Sequence, residues 1–366
     1  MCFPLGSRSS NKSQPYRRIP APALAMAQDR DDQQQERYRS FAFVGVGTVG
    51  RLIVRQMLTA QSVDKLSILT HHAPDRYAEF GDARNVEVIS GIDYSDPDSL
   101  TAALSGHDVV ISTFSTMHPA SVAHQLSYIR TARRAGIKLF VLSEFGFDID
   151  ALKPESTPTF IRVKYEARQL AEEVSVDNDD FVRMGFATDR PQRIPLSCDL
   201  QIGLPWLGIQ AGLYLSVFLN PALAFDVKQR KARIVGSGDR HFPVSAETDV
   251  ARFVKAVFTT SQLSPAQLES VRSLRMHSFC TSFNQALLAA QHAQCEKPWA
   301  VERVGVEPLQ ALIAEGIDDT QEAHLAAWLL INMEAGQMEV LAHDHTRAGN
   351  FRPMLTLDAV FSTPSS

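Results

Sequence analysis

Cysteine is scarce: Cys2, Cys198, Cys280 and Cys295 are the four in 366 residues. No C-x-x-C spacing and no dense framework links them, so they read as reduced thiols in a reducing compartment. A basic surplus is missing too. Lys and Arg number 36 against 41 Asp and Glu, a net charge of −5. Nonspecific nucleic-acid binding, which usually needs a basic face, has no support. No long apolar run follows the first basic residues, so no secretory signal is evident. An unbroken membrane span is also lacking. The nearest approach is "LQIGLPWLGIQAGLYLSVFLNPALAF", residues 200–225, which has no charge. A transmembrane helix needs about 20 apolar residues. Here Pro205, Pro221, Gln201, Gln210, Asn220 and three glycines interrupt the run. It reads as buried helix pieces lining an apolar pocket, with a membrane span as the alternative.

The N-terminus is free of acids. Residues 1–28 carry Arg8, Lys12, Arg17 and Arg18 among many serines and prolines. A disordered tail accounts for this composition, and the prolines spoil the amphipathic helix of a mitochondrial transit peptide, the alternative. Residues 29–38 are a polar lead-in, which makes 1–38 an expected tail and the cytoplasm the expected compartment.

What is present is an ordinary globular composition, 45% hydrophobic and 21% charged. From residue 40 to 145, short apolar runs alternate with helical patterns. "SFAFV", "KLSIL", "VEVIS", "DVVIST" and "IKLFVLS" read as strands buried on both faces. In the segment before the last strand, Val122, Leu126 and Ile129 mark an amphipathic helix. Repeated strand–helix units imply an α/β fold with a doubly wound parallel sheet. After about residue 190 the elements become smaller and mixed. The expected division is a Rossmann domain at 39–190 and a smaller C-terminal α/β substrate lobe at 191–360.

The stretch "FAFVGVGTVGRLIVRQML" places Gly45, Gly47 and Gly50 in G-x-G-x-x-G order between an apolar strand and an apolar helix. Gly45 permits the tight turn, Gly47 clears room for a pyrophosphate, and Gly50 lets helix and strand approach. Thr48 and Val49 open the helix, whose free N–H groups and dipole favour phosphate. An NAD site usually has an acid about 20 residues on, at the end of the second strand. Thr70, His71 and His72 occupy that point, with Arg76 beyond. Lacking a repelling carboxylate, the site suits the 2′-phosphate of NADPH. The same residues also fit a polar surface loop.

"LFVLSEFGFDID", with "GHDVVIST" and the glycine turn, resembles the NmrA-like family, and within it the isoflavone reductase-like (phenylcoumaran benzylic ether reductase-like) branch of atypical short-chain dehydrogenases. The likeness runs from about 40 to 190. It continues more weakly through "RIVGSGDRHFPVSAETDVARFV" and "FRPMLTLD". It implies a Rossmann domain with a smaller substrate lobe. It also implies cofactor contacts from Ser112, Thr113 and Phe114 after the fourth strand, and from Ser143, Glu144, Phe145 and Gly146 after the fifth. His71 stands where the family usually has an arginine for the 2′-phosphate, and Lys164 where it keeps its active-site lysine. The chain departs from the family pattern in a glycine turn one residue shorter and in Leu142 for the customary proline.

A tyrosine is missing four residues before Lys164, where short-chain dehydrogenases of the commoner type have one; Phe160 is there instead. Phe160, Val163, Ala167, Leu170 and Val174 form the apolar stripe of this helix, with Lys164 at its edge. A partly desolvated ammonium there has a lowered pKa and suits proton transfer. A surface lysine snorkelling from the helix edge is the bland alternative. Trp206, Tyr214 and Phe218 are expected to supply an apolar substrate wall. His343 and His345 make an incomplete ligand set, so no metal is expected. The expected function is an NADPH-dependent reductase of an apolar, aromatic small molecule. The alternative is a non-catalytic dinucleotide sensor acting on a regulatory protein partner. No membrane or nucleic-acid partner is expected, and the oligomeric state stays open.

Overall fold

The first strand shows why its run is apolar without alternation. Phe41 and Phe43 face one helical layer, and Ala42 and Val44 face another. All four are fully buried. A strand covered on both sides has no solvent face to mark with polar residues.

The computed structural model describes residues 37–366 except 82, 153–156, 174–202, 261–262, 294–297, 319, 340–342 and 363–366. Cys2, Cys198, Cys295, Val174 and the segment 1–36 lie outside the described residues. The strands are β1 (Ser40–Val44), β2 (Lys65–Leu69), β3 (Val86–Ile89), β4 (Val109–Ser112) and β5 (Leu139–Leu142), followed by β6 (Trp206–Gln210) and β7 (Leu213–Tyr214). Then come β8 (Phe225–Asp226), β9 (Lys231–Val235), β10 (Phe242–Ser245), β11 (Ser273–Arg275), β12 (Phe279–Thr281) and β13 (Ala300–Val304). The first four α-helices are α1 (Thr48–Met57), α2 (Pro97–Leu104), α3 (Pro119–Ala132) and α4 (Thr159–Glu173).

The main sheet has seven strands in the order β11-β6-β5-β4-β1-β2-β3, all parallel. One face packs against α1 and the helix Glu247–Thr259 through Ile53, Val54, Met57, Phe253 and Val254. The other packs against α2, α3 and α4 through Leu104, Tyr128, Ile129 and Ala167. This is the doubly wound α/β architecture read from the sequence. The sheet draws two strands, β6 and β11, from beyond residue 190.

The uncharged stretch is corrected in kind. Its described part is not a set of helix pieces. Residues 206–210 form β6 inside the main sheet, 213–214 form β7, and only Leu215–Phe218 is a short helix. A run buried on both faces reads alike for strand and helix, and here Gly208 and Gly212 separate short extended segments. Among the described residues no helix is long and apolar enough to cross a membrane.

Two small sheets, β12-β10-β7 and β13-β9-β8, carry the rest. Phe218, Phe225, Phe242, Phe283, Trp328 and Phe361 fill a second core beneath them. The two strands flanking "GSGD", β9 and β10, join different sheets. Asp249, fully buried, ties the closing segment down. Its carboxylate accepts the backbone N–H groups of Met354 and Leu355, the Ser278 hydroxyl and Arg252.

Tyr38 departs from the expected polar lead-in. It is 4% exposed, its ring sits beside Phe258, and its hydroxyl donates to Glu269 at 2.7 Å. A chain beginning at Arg39 loses this burial, about 1.5–3 kcal/mol. It should melt at a lower temperature than one beginning at Arg37. Equal melting temperatures would remove Tyr38 from the energetics of the core.

Candidate functional site

The chain runs outward from β1 to β2 and β3, then crosses back to β4. Ligands of open α/β sheets bind outside the carboxyl ends of the strands at such a reversal. A cleft of about 1010 Å³ opens there. Its floor is the β1–α1 turn, and Gly45, Gly47, Thr48 and Val49 all line it. Gly45 has φ +69°, and a Cβ on it would stand 2.6 Å from Phe114. Gly47 differs, because a Cβ there would meet nothing nearer than Gly45 O at 4.0 Å. The space above Gly47 is open to a ligand, as a pyrophosphate requires. Gly50 lies below the cleft, where a Cβ would stand 2.4 Å from Thr113 Oγ1. It therefore sets the approach of α1 to the loop after β4, as the fingerprint anticipates.

At one end of the cleft are Thr70, His71, His72 and Arg76 after β2. The His71 ring lies 3.8 Å from that of His72 and 5.1 Å from that of Tyr94, centroid to centroid. His124 from α3 closes the group, 4.1 Å from the Tyr94 ring. Burial, then the neighbouring His71, holds His72 and His124 below the usual imidazole range. The sequence reading missed His124 and Tyr94, which come from separate elements.

In the middle, Thr113 and Phe114 line the wall, with Ser143, Phe145 and Gly146 beside them; the Ser143 hydroxyl donates to the Phe114 carbonyl at 2.7 Å. Ser112 does not reach the cleft. Its hydroxyl donates to Gln125 Oε1 at 2.7 Å, and the same oxygen accepts Ser143 N at 3.0 Å. Gln125, on α3, thus clamps the ends of β4 and β5 together. Glu144 is a second correction. It is 1% exposed and turned from the cleft into a bidentate pair with Arg168. Successive peptides of a tight loop point opposite ways, so Ser143 and Phe145 face the cleft and Glu144 does not.

Lys164 lines the cleft beyond this loop. It is 7% exposed, and its Nζ lies 3.5 Å from where a Cβ on Gly146 would stand. No hydrogen bond or ion pair among the described residues engages its ammonium. Burial pushes its pKa down to about 8, partly opposed by Glu144 and reinforced by Arg168. Tyr165, next in sequence, is occupied elsewhere: its hydroxyl donates to the carbonyls of Ile149 and Leu152.

The far end is apolar. Phe160, Leu213, Tyr214, Val217, Leu325 and Leu329 line it. Burial pushes the Tyr214 hydroxyl up, so it stays protonated. Of the three aromatics expected to form this wall, only Tyr214 does. Trp206 stands in the main sheet, its ring beside the guanidinium groups of Arg168 and Arg272. Phe218 is buried against Phe225 and Phe242 in the second core. The strand and the short helix carry these two inward. His343 and His345 stack at 3.9 Å near His277, away from the cleft, and no metal-holding group occurs among the described residues.

Residues 45–195 match the profile of the NAD(P)H-binding domain family. Oxidoreductase aprR of Aspergillus flavus is 25% identical over 223 residues, covering 61% of this chain and 64% of that protein. The chain thus matches a little under two thirds of that relative's length. Crystalline isoflavone reductase superposes with a TM-score of 0.61 at 19% identity, over 88% of this chain and 98% of that one. Citrobacter sp. triphenylmethane reductase, crystallised with NADP(H), gives 0.59 at 17% identity over the same shares. The two structures share the fold.

Proposed function

We propose that this chain, whose residues 45–195 belong to the NAD(P)H-binding family and whose fold is that of isoflavone reductase, is an NADPH-dependent reductase of an apolar, aromatic small molecule. The observation that carries the reading is Lys164. It is the one buried lysine among the described residues, and it stands where the phosphate-binding half of the cleft meets the apolar half. When bound, the reduced nicotinamide supplies the hydride. The backbone N–H groups at the start of α1 hold the pyrophosphate. Thr113, Phe114, Ser143 and Gly146 border the path toward Lys164. Lys164 gives its proton to the substrate atom that becomes negative, and Tyr214 with the apolar wall excludes water. An exposed unpaired Cys280 suits a reducing compartment, the cytoplasm. Steady oxidation of NADPH with some member of an aromatic carbonyl and quinone-methide-forming panel tests the reading. A protein that binds NADPH yet oxidises it with none would be a dinucleotide sensor.

The histidine end gives a pH prediction. His71 and Arg76 meet the 2′-phosphate, with His72 and His124 beside them. The phosphate's charge favours the protonated imidazoles of His72 and His124, which burial holds below the usual range, so binding takes up protons and affinity rises as pH falls. NADPH should therefore bind more tightly at pH 6.5 than at 7.5, before the phosphate itself protonates near pH ~6. NADH, lacking that phosphate, should respond much less. Equal pH dependence for the two in calorimetric titrations would remove the histidines from phosphate recognition.

A further inference from the structure

Arg168 lies one turn beyond Lys164 on α4. Its guanidinium grips the Glu144 carboxylate with two bonds, Nε to Oε1 at 2.6 Å and Nη2 to Oε2 at 2.7 Å. The pair is nearly dry, with the side chains 11% and 1% exposed. Nη1 donates to Asp150, and with the Gln210 amide oriented to suit its neighbours, Nη2 also reaches its oxygen at 3.0 Å. Glu144 belongs to the same tight loop as Gly146, beside which Lys164 Nζ rests. Two cations one turn apart on α4 therefore border the loop that carries one buried carboxylate, and Arg168 holds it. The planar fork of arginine matches a carboxylate in two places, whereas an ammonium is a point charge, so arginine takes it.

We propose that Arg168 is a positioning residue, which holds the Glu144 carboxylate off Lys164 and so leaves the lysine's proton to serve the cleft. The purpose rests on the reductase reading; the competition itself does not. If Lys164 took the carboxylate, its ammonium would be pinned in an ion pair and its proton withheld from a substrate. The carboxylates beside Arg168 and Gln210 are already committed. Asp148 is held by Arg275, and Asp150 by Arg168 and Arg275. Tyr214 faces the cleft as a neutral phenol, and Glu322 lines it too. Glu144 is the carboxylate that most favours the charged lysine, and Arg168 opposes it.

The test reads the lysine directly. In protein labelled with 13Cε-lysine, the Lys164 resonance is assigned by its loss in Lys164→Met, and its titration midpoint is followed by NMR. Wild type should titrate at about 8. Arg168→Met frees Glu144 to pair with Lys164, which should raise the midpoint by about 1–3 pH units. Glu144→Gln should lower it below wild type. The double variant should return to the wild-type midpoint or below, because no carboxylate is left to move. An Arg168→Met midpoint equal to wild type, or a double variant raised as far as the single one, overturns the proposal. Arg168→Met strands a buried carboxylate and is the variant most at risk of misfolding. In that event Glu144→Gln decides alone, and an unchanged midpoint overturns the proposal. The titration needs no turnover, so a wild type that never oxidises NADPH sinks the reductase reading without touching this one.

Discussion

Replacing Lys164 with Met is expected to cut turnover by roughly 10²–10⁴-fold, the range for losing a general acid or base. NADPH affinity should change far less. In the proposed reading the pyrophosphate lies at the β1–α1 turn against backbone N–H groups, whereas Lys164 stands beyond the loop after β5. Methionine keeps the length and apolar volume of the stem while removing the charge, so the helix packing around Val163 and Ala167 survives. The wild-type pH profile carries a second signature. If Lys164 donates as the ammonium, the profile follows its pKa, which burial pushes down to about 8. Activity should therefore be full below that value and fall about tenfold per unit above it, the slope of a single essential acid. The alkaline limb should vanish in Lys164→Met. A variant as active as wild type would take Lys164 out of the mechanism and leave the proton to water or to the substrate.

The half of the site built by consecutive residues was readable in the sequence, and the half built by distant ones was not. Gly45, Gly47 and Gly50 stand at fixed spacing, and the tight turn at Gly45, the open space at Gly47 and the close approach at Gly50 follow from the string. Four of the five strands, β1, β2, β4 and β5, were legible because each is bounded by turn residues and largely buried on both faces; β3, at the sheet edge, is only partly buried and departs from that expectation. Lys164 was legible as a residue, but its solitude was not. That depends on Arg168 taking Glu144, a pairing across 24 positions. The cofactor-contact expectation for Glu144 came from the resemblance of its loop, and within that loop Ser143, Phe145 and Gly146 line the cleft while Glu144 turns to Arg168.

The apolar wall failed for a related reason. Trp206, Tyr214 and Phe218 sit in one uncharged stretch, and without periodicity nothing in it says which side chains point out. β6 turned out to extend the main sheet, which buries Trp206 beside two guanidiniums. The apolar lining of the cleft draws on Leu325 and Leu329, more than a hundred residues later. Clamps such as Gln125 are invisible for the same cause, since their meaning lies in two strand ends that the sequence does not place together.

The two cleft glycines of the turn should separate folding from binding. Gly47→Ala adds a Cβ whose nearest protein atom is Gly45 O at 4.0 Å, an ordinary contact with no clash, at a residue with φ −93°. The chain should fold and melt as wild type. The new methyl group stands in the open space over the N-terminus of α1, where the phosphates would lie. Each charge-assisted hydrogen bond displaced there is worth about 1.5–3 kcal/mol. NADPH affinity should fall at least tenfold, and about a hundredfold if more than one bond is lost. Gly45→Ala should do the opposite first. Its left-handed backbone alone costs a side chain about 1–2 kcal/mol. The added Cβ would also stand 2.6 Å from the Phe114 backbone nitrogen and ring, which cannot both retreat. Gly45→Ala should therefore lower the melting temperature even with no cofactor present. Calorimetry for binding and thermal scans for stability, run on both variants, read the two effects separately. If Gly47→Ala binds NADPH as tightly as wild type, the pyrophosphate does not sit at this turn, and the cofactor half of the site must be placed elsewhere in the cleft.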